Sequence, residues 1–403
     1  MTSRRVAMLG VVSSLALTCV PARAETATWV STFPIQTGAT ERIEVTRDSA
    51  WAVIDHSRVL RSTDAGLTWT PLNALPVSDT GLPGGGPATG GSSDTSVAPL
   101  SAQVALAVNG AAYSMTRDAG STWQRVKVPH VTRTGDYEHS DLLRRTGGRY
   151  WSAAAGFDVV KGCAVPLATT PLLSSADGAA WRRVDLPVRS GWVKDLKFAD
   201  PLHGAVSLYD LQYVRQESGG LCGYAGSAST TLVFVTADGG RSWRKAFTCS
   251  APCSVGWVHG RALTLTLGEG YGRVLDSSDL GRHFRRTASI PVLPATILGL
   301  QAMDCSGARC WALVNGTGIY RRDGAGEWTL EDSDADVLGI CVAGIAAIDN
   351  DRAIAAGPHA LMTRVGASTP GGKRGSTVVP GPVRVGPYAV LQPGGGVSVR
   401  VRL

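Results

Sequence analysis

The stretch RSTDAGLTW, residues 61–69, has two close copies further along the chain, MTRDAGSTW at 115–123 and VTADGGRSW at 235–243. In each copy a Ser or Thr is followed by Asp, then Gly and then Trp at the same spacing. Such a recurrence marks a repeated structural unit. Three altered copies follow the same pattern: SSADGAAW at 174–181, SSDLGRHF at 277–284 and RRDGAGEW at 321–328.

The six copies are spaced like the blades of a β-propeller. Their aspartates are Asp64, Asp118, Asp177, Asp238, Asp279 and Asp323. Successive aspartates are 41 to 61 residues apart, which fits one four-stranded blade each, with loop insertions. Strand-like runs and hairpin signals such as Asn109-Gly110 lie between them, and no segment after residue 24 shows helical periodicity. The sequence therefore predicts an all-β repeat protein.

Each residue type in the unit suits a rigid turn. An Asp can accept hydrogen bonds from backbone N–H groups two or three residues further on, and Gly permits a positive φ. The hydroxyl closes the turn from the other side, and the Trp covers the hairpin and fills the gap to the next blade. We therefore predict that the six aspartates serve stability and not chemistry.

The unit resembles the Asp-box, or bacterial neuraminidase repeat, of β-propellers. This repeat is known in sialidases, sortilin-type receptors, xyloglucanases and the photosystem II assembly and stability factor family, whose repeat style is the most similar. The resemblance covers residues from about 27 to 366. It implies a propeller with Asp-boxes at its outer edge, between the third and fourth strands, and it implies little about function.

Six copies leave one further blade to be completed. Residues 339–366 have strand-like runs without the Asp and Trp, whereas ATWVSTFP at 27–34 reads like the strands that follow the unit elsewhere. We predict a single seven-bladed propeller over residues 25–366, in which the N-terminal strand completes the last blade and removes its open edges. Residues 367–403 are predicted to form a Gly/Pro-rich linker and a C-terminal β tail.

Residues 1–24 have the form of a secretory signal peptide. Arg4 and Arg5 precede an apolar run, and Ala22-Arg23-Ala24 resembles a cleavage site. We therefore expect an exported protein, periplasmic or extracellular, with no transmembrane segment in the mature chain. Loss of the three leader arginines would lower the formal net charge from +7 to +4. Because the basic residues are scattered, we expect no nucleic-acid partner. We also expect a monomer without a cofactor.

Seven of the eight cysteines lie after the leader. In an oxidising compartment most should pair. From their places in the predicted blades we expect Cys163–Cys222, Cys249–Cys253 and Cys305–Cys310, with Cys341 left as a buried thiol. The sequence alone leaves this connectivity open. The cysteine spacings, with no His at ligand distance, predict no metal site.

The enzyme hypotheses rest on weak motifs. A sialidase needs an arginine in a Phe-Arg-Ile-Pro-like segment, and the nearest match, ERIE at 41–44, lacks the aromatic residue and the proline. Another glycosidase would need two carboxylates roughly 5 to 10 Å apart. Candidates outside the repeated unit are Asp55, Asp136, Glu138, Asp210 and Glu269. A carbohydrate-active enzyme, sialidase-like or of another glycoside hydrolase type, is therefore the alternative hypothesis.

Four long insertions are predicted on one face of the propeller, at 76–99, 129–141, 156–172 and 208–231. Elaborated loops on a rigid scaffold are where binding usually occurs, although such loops can also be mobile decoration. They contain the candidate binding residues Arg133, Tyr137, Glu138, His139, Tyr209, Tyr213, Arg215 and Tyr224. Aromatic residues mixed with both signs of charge suit a protein or a glycan. The sequence favours a non-catalytic propeller that binds a protein, as an assembly or stability factor or a recognition module.

Overall fold

The structure is a computed structural model of the chain, and every regular element among the described residues is a β-strand. Two compact units are distinguished, Met1–Gly366 and Ala367–Leu403. No helix that could span a membrane occurs among the residues described. The described residues are 28–35, 40–54, 58–76, 95–110, 112–131, 139–155, 157–160, 163–189, 191–218, 221–250, 252–267, 272–287, 289–291, 300–314, 318–324, 326–332, 344–357, 360–365, 390–391 and 397–398.

The first unit is a seven-bladed β-propeller. Its first strand, β1 (Thr28–Pro34), belongs to the last blade. Blade 1 contains β2 (Thr40–Val45), β3 (Ala50–Ile54), β4 (Arg58–Ser62) and β5 (Thr70–Pro71). Blade 2 contains β6 (Ser96–Pro99), β7 (Ala105–Asn109), β8 (Ala112–Thr116) and β9 (Gln124–Arg125). Blade 3 contains β10 (His139–Thr146), β11 (Arg149–Ala155), β14 (Thr170–Ser175) and β15 (Trp181–Leu186), with β12 (Phe157–Val160) and β13 (Cys163–Pro166) inserted after β11.

The remaining blades follow the same order. Blade 4 contains β16 (Trp192–Phe198), β17 (Gly204–Ser218), β18 (Leu221–Thr236) and β19 (Arg244–Cys249). Blade 5 contains β20 (Cys253–His259), β21 (Ala262–Leu267), β22 (Arg273–Ser277) and β23 (Arg285–Arg286). Blade 6 contains β24 (Leu300–Ser306), β25 (Arg309–Val314), β26 (Gly318–Asp323) and β27 (Thr329–Asp332). Blade 7 contains β28 (Gly344–Ala347), β29 (Ala353–Ala356) and β30 (Ala360–Val365), and β31 (Val390–Leu391) pairs with β32 (Val397–Ser398) in the second unit.

The N-terminal strand closes the ring, as the sequence predicts. Strand β1 pairs antiparallel with β30 and becomes the outer strand of blade 7. The closure is fastened by Glu331 of blade 6, whose carboxylate accepts hydrogen bonds from the indoles of Trp29 and Trp311, each at 3.2 Å. The same carboxylate pairs with Arg364 of β30 at 2.7 Å and with Arg321 at 2.8 Å. The first and last strands of the propeller are therefore bound to one largely buried acid, Glu331.

The antiparallel order of each blade fixes two faces. Turns between the first and second strands and between the third and fourth strands lie on one face, which we call the turn face. The other connections lie on the opposite face, which we call the hairpin face. There β17 and β18 extend far beyond blade 4 as one hairpin, and β13 pairs with β18 in parallel at Cys163 and Cys222. The predicted insertions 156–172 and 208–231 are thus largely β-hairpins rather than loops.

Five repeated units form similar turns, which we call the aspartate turns. Their hydroxyl residues are buried and accept a hydrogen bond from the glycine N–H, as Thr236 does from Gly240 at 2.9 Å. The glycine also allows close approach of the preceding blade, because a Cβ on Gly240 would lie 2.4 Å from the indole of Trp151. The second-strand tryptophans Trp51, Trp151 and Trp311 are at most 1% exposed.

The backbone amides that the aspartates bind are not the predicted ones. In four turns they accept N–H groups three or four residues further on, as Asp118 does from Thr122 at 2.8 Å. Only the shorter turn of Asp177 uses residues two and three further on, Ala179 and Ala180. A turn longer by one residue places the later amides opposite the carboxylate, which explains the shift.

Asp323 is a correction to the predicted set of structural aspartates. Its carboxylate accepts from Arg309 Nε at 2.5 Å and pairs with Arg321 at 3.3 Å, and none of the described turn amides donates to it. Arg321 occupies the place of the hydroxyl residue, so the turn of blade 6 lacks the acceptor that holds the other five. An ion pair has replaced the aspartate turn here.

Two of the three expected disulfides are present. Cys249–Cys253 joins the end of blade 4 to the start of blade 5, and Cys305–Cys310 joins the first two strands of blade 6. For the third pair the backbone register places Cys163 opposite Cys222, while their side chains lie outside the part of the structure that is described. This disulfide stays a prediction, and Cys341 also lies outside the described residues.

Candidate binding face

The propeller channel is lined by the first strand of each blade. These strands contact one another around the axis. Four of them carry charged residues, which include Glu44 in β2, Arg144 in β10, Asp195 in β16 and Asp304 in β24. In several of them a β-bulge interrupts the pairing with the second strand. Because a bulge re-aims side chains, it helps to direct these charges toward the channel.

The charges form a network that touches every blade. Arg144 pairs with Asp195 at 2.6 Å and with Glu44 at 3.3 Å, which joins blades 3, 4 and 1. Lys197 donates to the Gly256 carbonyl at 2.7 Å and the Met303 carbonyl at 3.0 Å, and pairs with Asp304 at 3.2 Å. Arg42 reaches Ser96 of blade 2 and the Leu143 carbonyl, and Ala347 N–H of blade 7 donates to Asp304.

This network places ion pairs between the first strands of the blades. Burial raises the pKa of Glu44, and Arg144 and Arg42 offset that only in part. Burial would lower the pKa of Arg144, but Asp195, Glu44 and Asp304 together raise it. A charged group without its partner would be costly at such a site. The channel is therefore occupied by ion pairs that hold the blades in register.

The hairpin face offers a different kind of site beside the channel mouth. Trp192, the first residue of β16, is 50% exposed, although tryptophan is usually largely buried. Its ring lies 5.9 Å from that of its cross-strand partner Tyr209, at an interplanar angle of 52°. Lys194 places its ammonium 5.5 Å from the centre of the Tyr209 ring. The three side chains form an aromatic and cationic cluster at the base of the long hairpin, which we call the Trp192 cluster.

The structure places the sequence-predicted binding residues unevenly. Arg133, Tyr137 and Glu138 lie outside the described residues. His139, Tyr213, Arg215 and Tyr224 lie in strands β10, β17 and β18, where only their backbone is described, so their expected location in loops is wrong. Tyr209 also lies in β17, and its ring belongs to the Trp192 cluster. Of the carboxylates considered for a glycosidase, Asp210 lies in β17, and the other four lie outside the described residues.

Sequence reasoning missed Trp192 and the channel network. Nine of the eleven tryptophans occupy repeated positions in the second strand, after the aspartate turn, or in β1, and Trp192 and Trp257 do not. That departure from the repeat was a usable signal. For the channel, the signal was a set of charged residues alternating with apolar ones in the first strand of a blade, as in VKDLKF at 193–198. Among the described residues, no group of three or more His, Cys, Asp or Glu side chains is placed to hold a metal ion.

Comparison with known proteins supports the propeller fold. No protein-family model and no curated protein sequence matches the chain. The solved structure of YCF48 from Cyanidioschyzon merolae is similar with a TM-score of 0.55 at 13% identity, covering 84% of this chain and 98% of that one. YCF48 bound to a D1 peptide gives a TM-score of 0.50 at 13% identity, covering 87% and 98%. A GH74 xyloglucanase from Xanthomonas campestris gives 0.49 at 15% identity, covering 83% of this chain and 53% of the enzyme. At this identity the likeness to YCF48 shows the fold alone.

Proposed function

We propose that this protein is a non-catalytic propeller that binds a protein partner through its hairpin face at blades 3 and 4. The observation that carries the proposal is the half-exposed Trp192 beside Tyr209 and Lys194. Exposed aromatic residues next to a cation are typical of the residues that dominate protein interfaces. A similar propeller, YCF48, has been solved bound to a peptide, which gives this class of function a precedent in the fold.

The ion pairs of the described channel carboxylates support this assignment. Glu44 and Asp195 both pair with Arg144, and Asp304 pairs with Lys197. A substrate would have to displace these pairs to reach a carboxylate. Binding on the rim of the channel mouth needs no such displacement, because Trp192 already reaches solvent.

The test is capture of partners from the envelope fraction of the source cells by immobilised residues 25–403. Trp192→Ala should lose the captured protein while keeping the parent melting temperature. Leu330→Ala is the matched control, since Leu330 is also 50% exposed but lies on the outer strand of blade 6. A capture profile that is the same for the parent and Trp192→Ala would refute the proposed face.

A glycoside hydrolase remains the second candidate, favoured by one observation. Glu44, whose pKa is raised, pairs with the same arginine, Arg144, as a second carboxylate, Asp195. A raised carboxyl pKa is what a general acid requires. Release of sugar from a glycan panel that disappears in Glu44→Gln would favour this enzyme and contradict the non-catalytic assignment.

We further propose that the aspartate turns are Asp-boxes and that the mature chain, residues 25–403, is an exported monomer with a propeller domain ending at residue 366. The hydrogen bonds of the five turns support the first statement. The two disulfides are typical of an oxidising compartment and support export. N-terminal sequencing of the protein from the envelope should begin at Glu25, and light scattering should give the monomer mass.

A further inference from the structure

The turns and outer strands of the propeller divide sharply by charge. In blades 2 to 5 they span 117–125, 176–186, 237–249 and 278–286, and hold ten Arg or Lys against five acids. In blades 6, 7 and 1 they span 324–332, 28–34 and 63–71, and hold four acids and no Arg or Lys. Basic residues on outer strands can simply prevent edge pairing, but that function would not restrict them to four consecutive blades.

The five acids in the turns and outer strands of blades 2 to 5 already have partners nearby. Four of them are Asp118, Asp177, Asp238 and Asp279, which bind the amides of their own turns. The fifth, Asp185, pairs with Arg183 at 2.9 Å. The arginines include residues at the turn tips, such as Arg241 and Arg282, whose backbone N–H groups bind the turn aspartates while their side chains are exposed.

Exposed leucines lie on the same face as these tips. Leu202, in the turn between the first two strands of blade 4, is 53% exposed, and Leu100, in the corresponding turn of blade 2, is 42% exposed. The Leu202 carbonyl accepts the Gly239 N–H at 2.9 Å, which fixes it beside the aspartate turn that carries Arg241. Asp200 accepts the Leu202 and His203 N–H groups at 2.7 and 2.9 Å, so the leucine is held outward on a rigid turn.

We propose that the turn face of blades 2 to 5 binds the surface of an anionic lipid bilayer. Each basic residue near such a surface contributes attraction, and an apolar side chain among them can enter the interfacial region. The leucines favour a bilayer over a soluble acidic protein, because an apolar turn tip can enter the bilayer interface but gains little from contact with acidic side chains. The hairpin face would then point away from the membrane and stay free for a protein partner.

Vesicle sedimentation of residues 25–403 tests the proposal. The protein should sediment with vesicles of equimolar phosphatidylglycerol and phosphatidylcholine, should not sediment with phosphatidylcholine alone, and should be released by salt. The double variant Arg241→Ser/Arg282→Ser keeps the turn, since Ser121 occupies the same place in blade 2. It should bind about tenfold more weakly or worse. Arg58→Ser/Arg189→Ser removes the same charge from exposed positions on the hairpin face and should bind like the parent.

A second pair of variants separates lipid from acidic protein. Leu202→Ser should weaken vesicle binding severalfold, whereas Leu330→Ser, at a similarly exposed leucine on blade 6, should not. Melting temperatures equal to the parent would show that each variant is folded. Equal binding to both kinds of vesicle would overturn the proposal. So would binding that depends on the arginines but not on Leu202, because that pattern fits any polyanion.

Discussion

The repeated aspartates of the turn face are bound within their own turns, whereas the unrepeated Trp192 on the hairpin face is half exposed to solvent. In the aspartate turns the carboxylates are bound by their own loops, as Asp238 is by Ser242 N–H at 3.0 Å and Ser242 Oγ–H at 2.6 Å. On the hairpin face, Trp192 breaks the repeat and leaves half of its surface in water. The difference indicates that repeated polar residues maintain the blades, whereas residues that depart from the repeat are candidates for recognition.

The largest loss of stability is expected when ring closure is disrupted. Deleting residues 25–34 removes β1 and exposes the edge of β30, which β1 covers along its length. An uncovered edge strand is a template for aggregation. We expect aggregation or a large loss of thermal stability, measured by light scattering and calorimetry. A deletion variant that melts like the parent would contradict the shared blade.

Loss of the closing carboxylate should have the next largest effect. Glu331→Ala leaves Arg364, whose side chain is 4% exposed, without its acidic partner and also removes the acceptor of two indoles. Breaking a buried pair costs about 3 to 5 kcal/mol, to be measured as the free energy of unfolding in urea. Glu327→Ala, at an exposed acid in the same blade, is the control and should change little.

A single aspartate turn should contribute less. Thr236→Val leaves the buried Gly240 N–H without its acceptor, and an unsatisfied buried group costs about 1 to 3 kcal/mol. Thr248→Val, at an exposed threonine of the same blade, is the matched control. A loss in Thr236→Val no greater than in the control would mean that the buried hydroxyls do not hold the turns.

Acid should weaken the aspartate turns in a defined range. Hydrogen bonds from Thr122 lower the pKa of Asp118 from 3.8 to about 2, and backbone N–H groups lower that of Asp177 to about 2. A depressed folded pKa gives stability that is present above the unfolded value and is lost as the pH falls through the folded one. The melting temperature should therefore fall between pH 3.8 and about 2. An Asp118→Asn/Asp177→Asn variant should melt lower at neutral pH and fall less steeply in acid.

The repeated part of the molecule could be predicted from the sequence, because each turn is a local structure set by a few residues. The six copies of the unit in RSTDAGLTW, with their spacing, and the strand-like ATWVSTFP were sufficient to predict the propeller, its seven blades and its closure. The prediction for Asp323 is wrong for a local reason as well, because Arg321 stands in the place of the hydroxyl residue and cannot accept a hydrogen bond from the turn. The channel network and the Trp192 cluster depend on contacts between distant blades, such as Arg144 with Glu44, which no local pattern specifies.

Shortening the hairpin of blade 4 tests the central claim most directly, because it removes the unrepeated part and keeps the repeated one. In one variant Trp192 would be replaced by Ala and residues 212–227 by Asn-Gly, joining Leu211 to its partner Ala228 and leaving the strands of the blade paired from Gly204 to Asp210. The measurement is capture of the envelope partner, with the melting temperature alongside. We predict a parent-like melting temperature and loss of capture. Capture equal to the parent by a folded, shortened protein would contradict the claim that this face binds the partner.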